Sequence, residues 1–340
     1  MARTIGDTDN LMAPSIALII GVSGQDGSYL AELLHTKGYQ VHGVVRSLAD
    51  PVADSVRGLL PFAHLVEGDL QDLGSLIKAI ERIQPDEVYN LGALSSVSRS
   101  WSQPELTAEI TGLGSLRLLE AVRLTGLVNA TRFYQASSSE MFGHATTSPQ
   151  DEDTPFAPIH PYAIAKVFAH HTTVNVRQAY GLFAVCGILF NHESPRRREE
   201  FVTRKITRGV ARIALGRQDR LALGNLDVRR DWGYAPEYAE AMWKMLQQPE
   251  PDDFVIATGT THSVRDFLDS AFRHAGVSDW EGLVDTDPSL ARPADIGELC
   301  GDSSKAREVL DWYPRTGFEE LVGIMVDADM QREDAAPNPT

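Results

Sequence analysis

Short apolar runs alternate along the first half of the chain with longer segments in which apolar residues recur every three or four positions. The short runs predict strands at 16–21, 40–45, 64–67, 87–91, 132–137 and 184–190. The longer segments predict helices near 27–37, 73–83, 105–125 and 161–180. Because strands separated by helices run parallel in one sheet, we expect an α/β fold with a doubly wound, Rossmann-type sheet.

The regular alternation ends near residue 190, although one helix (235–247) and one strand (253–257) continue it. Further helices are predicted near 264–275, 304–310 and 318–328. We therefore expect a first domain of residues 14–190 that also receives about 230–257. The remaining segments, 191–229 and 258–330, would form a smaller interleaved C-terminal lobe, followed by a flexible tail at 331–340.

The composition excludes several classes of protein. A net charge of -16 repels nucleic acid and anionic membranes, so we expect neither as a partner. Cys186 and Cys300 lack metal-ligand spacing, so no zinc site or disulfide framework is expected. The N-terminal segment lacks the features of a signal peptide, and the apolar run 16–22 is too short to cross a bilayer. We therefore expect a cytoplasmic protein.

A glycine-rich turn, GVSGQDG at 21–27, follows the first predicted strand and opens the first predicted helix. Such glycines let the backbone approach a pyrophosphate, whose charge the helix N-terminus stabilises. The spacing differs from GxGxxG, and a turn without a ligand is the alternative, but the position favours a dinucleotide. The second strand ends in Arg46 and Ser47, which suit a 2′-phosphate and favour NADP over NAD; the alternative is an exposed arginine. Cofactor contacts are also predicted at Asp69, Leu70, Leu91, Gly92 and Ala93.

Two pairs of residues point to acid–base chemistry. Tyr162 and Lys166 lie four positions apart on a predicted helix, so their side chains share one face. To act as a base near neutrality, the tyrosine needs its pKa lowered by about 3 units, and a nearby ammonium favours that change. Ser138 and Glu140 follow the fifth predicted strand, at the edge where ligands bind in such folds. A serine-rich cap with a solvated glutamate is the alternative.

A basic stretch begins after residue 190. Residues 195–230 hold eleven Lys and Arg against four Asp and Glu. A ligand with two phosphates needs such a patch. Its candidate residues are Asn191, His192, Arg196, Arg197, Arg204, Lys205, Arg229 and Arg230, whereas Arg208, Arg212 and Arg217 are interpreted as a solvated helix face.

Together these segments resemble the extended short-chain dehydrogenase/reductase family, and within it the GDP-mannose 4,6-dehydratases. The likeness runs from residue 16 to about 325 and is most specific in GVSGQDGSYLAELL, FYQASSSEMFG, NHESPRR, GNLDVRRDWG and DFVIATG. The resemblance implies a catalytic set of Ser138, Glu140, Tyr162 and Lys166, with no metal. NADP would be lined by Gly21, Gly24, Gln25, Asp26, Gly27, Arg46, Asp69, Leu70, Leu91, Gly92, Ala93, Tyr162, Lys166, His192 and Arg197. The sugar nucleotide would contact Ser95, Ser138, Glu140, Asn191, Lys205, Gly224, Arg230 and Arg292.

The implied reaction is NADP-dependent dehydration of GDP-mannose to GDP-4-keto-6-deoxy-mannose by internal hydride transfer from C4 to C6. Tyr162 would take the proton of the 4-hydroxyl. Glu140 would then remove the C5 proton and help to expel the 6-hydroxyl as water.

The sequence departs from the family pattern at several places. Ser138 replaces a threonine, Phe142 replaces a tyrosine, and Leu94 and Ser96 replace larger polar residues near the sugar. The loop at 47–62 is short, which argues against a tetramer and leaves a homodimer as our expectation. Three alternatives stay open: the same dehydration on another nucleotide sugar such as a GDP-heptose, an epimerase or 4-ketoreductase activity, and a non-catalytic NADP-binding regulator. The intact pair of Tyr162 and Lys166 argues against the last.

Overall fold

The computed structural model describes residues 14–287, 290 and 296–335. Its strands are β1 (Ile16–Ile20), β2 (Gln40–Val45), β3 (His64–Glu67), β4 (Glu87–Asn90), β5 (Arg132–Ser138), β6 (Phe183–Leu189), β7 (Asn191–Glu193), β8 (Leu221–Leu223), β9 (Arg229–Tyr234), β10 (Asp253–Ile256), β11 (Thr261–Ser263), β12 (Val284–Thr286) and β13 (Glu298–Leu299). Its α-helices are α1 (Gln25–Thr36), α2 (Pro51–Leu59), α3 (Leu73–Ile83), α4 (Val97–Ser102), α5 (Pro104–Thr107), α6 (Gly114–Leu124), α7 (Pro161–Tyr180), α8 (Val202–Ala214), α9 (Ala235–Leu246), α10 (Val264–His274), α11 (Ser304–Leu310) and α12 (Phe318–Ala335). A π-helical segment, Ala108–Leu113, joins α5 to α6, and 3₁₀ turns form at Ser139–Phe142 and Glu281–Leu283.

Parallel strands form the central sheet, in the order β10-β6-β5-β4-β1-β2-β3. All of the neighbouring pairs in it are parallel. The chain runs outward from β1 to one edge and then, after crossing back, to the other, which is the doubly wound arrangement. The predicted Rossmann-type α/β fold is therefore confirmed.

Helices cover both faces of this sheet, so its inner strands are apolar on both sides. Strand β1, with the sequence IALII, is buried from residue 17 to residue 20. On one face, Leu30 of α1 and Met242 of α9 belong to the same apolar core. On the other face, Ile80 of α3 and Leu118 of α6 form a second core. This packing fixes the strand ends that border the cleft described below.

The second lobe is built from later segments of the chain. Strands β7, β9, β11 and β13 form a small sheet, and β8 pairs with β12. Helices α8, α10 and α12 pack together through a core that includes Ile206, Phe267 and Met325. Because α9 and β10 return to the central sheet between these elements, the lobes are interleaved along the sequence. Strand β9 lies in the small sheet, although the sequence analysis placed most of its residues in the first domain.

The C-terminal helix is longer than the sequence pattern predicts. Helix α12 continues to Ala335, so residues 331–335 are helical although they were expected to belong to a flexible tail. Residues 336–340 lie outside the described part of the chain. Among the helices within the described ranges, none is both long enough and apolar enough to cross a bilayer.

Candidate active site

A cleft of about 950 Å³ lies between the lobes, at the carboxyl ends of the central strands. Its walls include all of the catalytic, cofactor-binding and sugar-nucleotide-binding residues that the family resemblance implies within 14–287, 290 and 296–335. Arg292, also predicted to contact substrate, lies outside the described residues. The fold therefore brings together side chains that are more than 200 positions apart in sequence, from Gly21 to Arg230. The role of each residue stays a prediction.

The turn at the N-terminus of α1 is too tight for a side chain at two of its glycines, Gly21 and Gly27. Gly21 has φ +87°, and a Cβ there would lie 3.0 Å from the backbone carbon of Leu91. A Cβ on Gly27 would come within 2.3 Å of the Gly21 carbonyl oxygen. The glycines therefore permit a close strand-to-helix turn that directs the helix N-terminus at the cleft.

Asp26, in the first turn of α1, forms a buried ion pair with His192. The Asp26 Oδ2 and His192 Nε2 atoms are 3.0 Å apart, and Nδ1 of the same histidine lies 2.7 Å from the Phe190 carbonyl oxygen. Burial alone would raise the pKa of Asp26, but the charge and hydrogen bond of His192 hold it well below its usual range. Burial also opposes charging of His192, yet Asp26 raises its pKa. Each group therefore favours the charged form of the other.

The segment after β7 is tied to α1 by further polar contacts. The Gln25 amide donates to the His192 carbonyl oxygen at 3.1 Å, and the Ser194 hydroxyl donates to Gln25 Oε1 at 2.8 Å. Arg196 reaches Glu32 of α1 at 2.7 Å. These bonds hold the second lobe against the glycine turn and so fix one side of the cleft.

Arg46 and Ser47 lie at the end of β2, where the sequence analysis places the 2′-phosphate. Arg46 is exposed and lines the cleft. The loop that follows is short because Asp50 caps α2, accepting a hydrogen bond from the Val52 N–H at 2.8 Å. Asp50 also lines the cleft, so one carboxylate faces the region of the predicted phosphate site.

Tyr162 and Lys166 lie on the first turns of α7 and are both buried. The Lys166 Nζ atom donates to the Ala136 carbonyl oxygen at 2.6 Å and lies 5.7 Å from the centre of the Tyr162 ring. Burial raises the pKa of Tyr162 to about 12, against the lowering effect of a hydrogen bond with Ser138. Burial also lowers the pKa of Lys166 to about 8, although the charge of Asp26 works in the opposite direction. The downward shift that a tyrosine base requires is therefore not supplied by these protein groups alone.

Glu140 lies in the 3₁₀ turn that follows β5 and is 8% exposed. Its backbone N–H donates to the Ser138 hydroxyl oxygen at 3.3 Å. Its Oε2 atom lies 2.9 Å from Nε2 of His160, and its Oε1 atom lies 3.9 Å from Nε of Arg230. The carboxylate thus lies between His160, which caps α7, and Arg230 of β9, while the Ser138 hydroxyl holds the Glu140 backbone. Sequence reasoning missed His160, whose position directly before Pro161 predicts a helix cap.

The basic stretch is largely neutralised by acidic residues from elsewhere in the fold. Arg204, expected to bind phosphate, is buried against Asp329 with nitrogen–oxygen distances of 2.6 to 2.9 Å. Arg229 lies 3.5 Å from Glu298. Neither arginine borders the cleft, and nor does Arg196. The residues of this stretch that border it include Asn191, His192, Arg197, Arg198, Lys205 and Arg230.

Comparison with known proteins agrees with this geometry. The family model for GDP-mannose 4,6 dehydratase matches residues 18–325. The GDP-mannose 4,6 dehydratase of Cricetulus griseus is 48% identical, over 99% of this chain and 97% of the relative. GDP-mannose 4,6 dehydratase 1 of Arabidopsis thaliana is 50% identical, over 96% and 92%. Among solved structures, the UDP-glucose 4-epimerase of Thermus thermophilus, in complex with NAD, has a TM-score of 0.80 at 26% identity, covering 92% of this chain and 98% of that one. This chain therefore belongs to the GDP-mannose 4,6-dehydratase family.

Proposed function

We propose that this chain removes water from GDP-mannose, giving GDP-4-keto-6-deoxy-mannose, with NADP as its cofactor. Family membership supports the reaction and the substrate. The observation that carries the proposal is the place of Glu140, a buried carboxylate on the cleft wall beside Ser138 and Tyr162. Simple epimerases and ketoreductases of this fold do not need an acid–base group for C5 and C6, whereas a dehydratase does.

The residues present fit a nicotinamide dinucleotide. The turn at 21–27 leaves no room for a Cβ at Gly21 or Gly27 and points a helix N-terminus into the cleft, as a pyrophosphate requires. The similar fold of the Thermus epimerase, solved with NAD, supports this class of cofactor. NADP is favoured over NAD because Arg46 and Ser47, a cation and a hydroxyl, directly follow β2, where an acidic residue would repel a 2′-phosphate.

The proposed roles of the protein groups follow the order of the reaction. When bound, the oxidised cofactor would accept the C4 hydride and place a positive charge near the phenol, and its reduced form would return that hydride to C6. Tyr162 takes the proton from the 4-hydroxyl. The Tyr162 phenol is itself held by a hydrogen bond with Ser138. Glu140 takes the C5 proton, which the 4-ketone acidifies, and assists departure of the 6-hydroxyl as water. A proton from solvent then returns to C5, and Tyr162 releases the 4-hydroxyl proton to solvent, so the net change is the loss of one water.

Tyr162 needs help to ionise, because burial raises its pKa to about 12. Lys166, which shares the helix face, supplies a positive charge within reach of the phenol ring. Below pH 8 this lysine is mostly charged, since its pKa is about 8. We therefore assign Lys166 the role of favouring the phenolate.

A direct test is incubation of the purified protein with GDP-mannose and NADP⁺. We expect GDP-4-keto-6-deoxy-mannose, identified by mass spectrometry and NMR, without net formation of NADPH. Turnover of a GDP-heptose but not GDP-mannose would show that the chain dehydrates another nucleotide sugar. An epimerised or reduced sugar as the product would show an epimerase or 4-ketoreductase activity.

The cofactor preference has its own test. Arg46→Ala should weaken binding of NADP and leave that of NAD nearly unchanged, as measured by fluorescence titration. Arg57→Ala is a matched control, because Arg57 is exposed on the nearby helix α2 and pairs with Asp54. Equal loss of affinity for both dinucleotides in Arg46→Ala would refute the 2′-phosphate assignment. Assembly as a homodimer stays a prediction.

A further inference from the structure

His160 makes two hydrogen-bond contacts through its two ring nitrogens, and only one of them serves the helix that follows. Its Nδ1 atom accepts a hydrogen bond from the Ala163 backbone N–H at 3.1 Å, which caps the N-terminus of α7. Its Nε2 atom lies 2.9 Å from Oε2 of Glu140. The side chain is 2% exposed, so both contacts are shielded from water.

The cap contact fixes the tautomer of this histidine. Because Nδ1 uses its lone pair to accept the Ala163 N–H, the proton of the neutral ring resides on Nε2. That N–H then donates to the Glu140 carboxylate. A histidine that only capped a helix would gain nothing from placing its second nitrogen within 2.9 Å of a carboxylate oxygen.

We propose that His160 is a positioning residue for Glu140, holding the carboxylate through a neutral Nε2–H donor in the orientation that removes the C5 proton. This inference rests on the proposed function, in which Glu140 is the base at C5. It adds a residue outside the predicted set. It also gives α7 a second role, because the helix that carries Tyr162 then orients the other proton acceptor as well.

Because Nδ1 accepts the Ala163 N–H, the ring in this arrangement carries one proton only, and this matters for the chemistry. A charged imidazolium beside Glu140 would strongly favour the carboxylate form and make it a weaker base. A neutral N–H gives direction to the carboxylate with a smaller loss of basicity. His160 also lies beside Tyr162, since their rings are nearly parallel with centres 6.1 Å apart. The groups proposed for proton transfer at the 4-hydroxyl and at C5 are therefore close together.

Two substitutions separate the cap from the positioning role, because each retains one of the two contacts. Asparagine is among the best helix caps but is too short to reach Glu140. Glutamine places its amide N–H near the position of Nε2 and is a poor cap. In His160→Asn we expect an unfolding midpoint like that of the wild type and a kcat lower by about ten- to hundredfold, the cost of a misplaced catalytic group, with KM unchanged. In His160→Gln we expect a lower unfolding midpoint and a kcat close to the wild type.

Kinetic isotope effects identify the step that slows. With GDP-mannose deuterated at C5, His160→Asn should show a larger isotope effect than the wild type, because proton removal at C5 becomes rate-limiting. With deuterium at C4, its effect should not increase. His171→Asn is the matched control, since His171 is exposed on the same helix and should leave kcat and both isotope effects unchanged.

The outcomes distinguish this inference from the proposed function. If wild-type protein does not dehydrate GDP-mannose, the proposed function fails. If the wild type is active and kcat follows the unfolding midpoint in both variants, His160 is only a cap and the inference is wrong. An unchanged C5 isotope effect in an impaired His160→Asn variant would likewise overturn it.

Discussion

Replacing Gly27 by alanine should damage both folding and cofactor binding, and the size of the effect can be derived from the turn. The new Cβ would lie 2.3 Å from the Gly21 carbonyl oxygen, 2.7 Å from the Val22 Cα and 2.9 Å from the Gly21 carbonyl carbon. All three are backbone atoms, so no side chain can rotate away. The carbonyl would have to withdraw by about 1 Å to reach an ordinary contact distance.

That movement has two measurable costs. Overpacking of this kind lowers the free energy of unfolding by about 1–3 kcal/mol. The opened turn also displaces the N–H groups at the start of α1, so we expect affinity for NADP to fall about tenfold, equivalent to about 1.4 kcal/mol. Urea unfolding measures the first effect, and fluorescence titration with NADP measures the second.

Gly58→Ala is the matched control. Gly58 lies in α2, and a Cβ there would meet nothing within 4 Å. Alanine is favoured over glycine in a helix by about 1 kcal/mol, so this variant should be as stable as the wild type or more stable. If Gly27→Ala unfolds at the wild-type urea concentration and binds NADP normally, the reasoning from the close turn is refuted.

Three further predictions concern chemistry and stability. Glu140→Gln should lower kcat by about 10²- to 10⁴-fold in a product assay, and full activity would exclude it as the base. Activity should decline as pH rises through about 8, where Lys166 loses its proton, and Lys166→Met should abolish that limb of the pH–rate profile. The effect on stability has the opposite direction. Because the pKa of Lys166 is about 8 in the folded protein and 10.5 ordinarily, the unfolded chain binds this proton more tightly. The free energy of unfolding should therefore increase as the pH rises from about 8 to 10.5. Asp329→Asn should cost about 3–5 kcal/mol in urea unfolding by leaving Arg204 buried without its carboxylate; the exposed Asp327→Asn should cost at most about 1 kcal/mol.

The central sheet could be predicted because each strand is a short apolar run bounded by turn residues. Strands β2 and β3 begin and end where the pattern places them. Helix α2 was missed because its sequence, PVADSVRGL, is short and has few apolar positions. Helix α8 was given no bounds, although Arg208 and Arg212 were interpreted as a helix face, because Arg204 at its start was interpreted as a ligand for phosphate. The apolar pattern therefore predicts strands that are buried on both faces of the sheet. It does not predict helices in which apolar and charged residues are interspersed.

The candidate site was predictable where chemistry follows directly from position along a strand or helix. Ser138, Tyr162 and Lys166 border the cleft for this reason. Pairing across the fold was not visible in the sequence: Arg204 meets Asp329, 125 residues away. His160 was missed because its contact with Glu140 depends on how α7 packs beside the end of β5. The sequence shows which residue types are available for a site. It does not show which charged side chains are neutralised by ion pairs, because those pairs depend on tertiary contacts.

The bonds between Gln25 and the segment that follows β7 have a consequence for synthesis of the chain on the ribosome. The glycine turn forms near the N-terminus, yet its partners at His192 and Ser194 emerge about 167 residues later. The edge strand β10 and the helix α12 emerge later still. Contacts this distant in sequence slow folding, because long stretches of chain must be ordered before they form. A nascent chain therefore carries an incomplete nucleotide cleft until the last described residue of the lining, Leu290, has been translated.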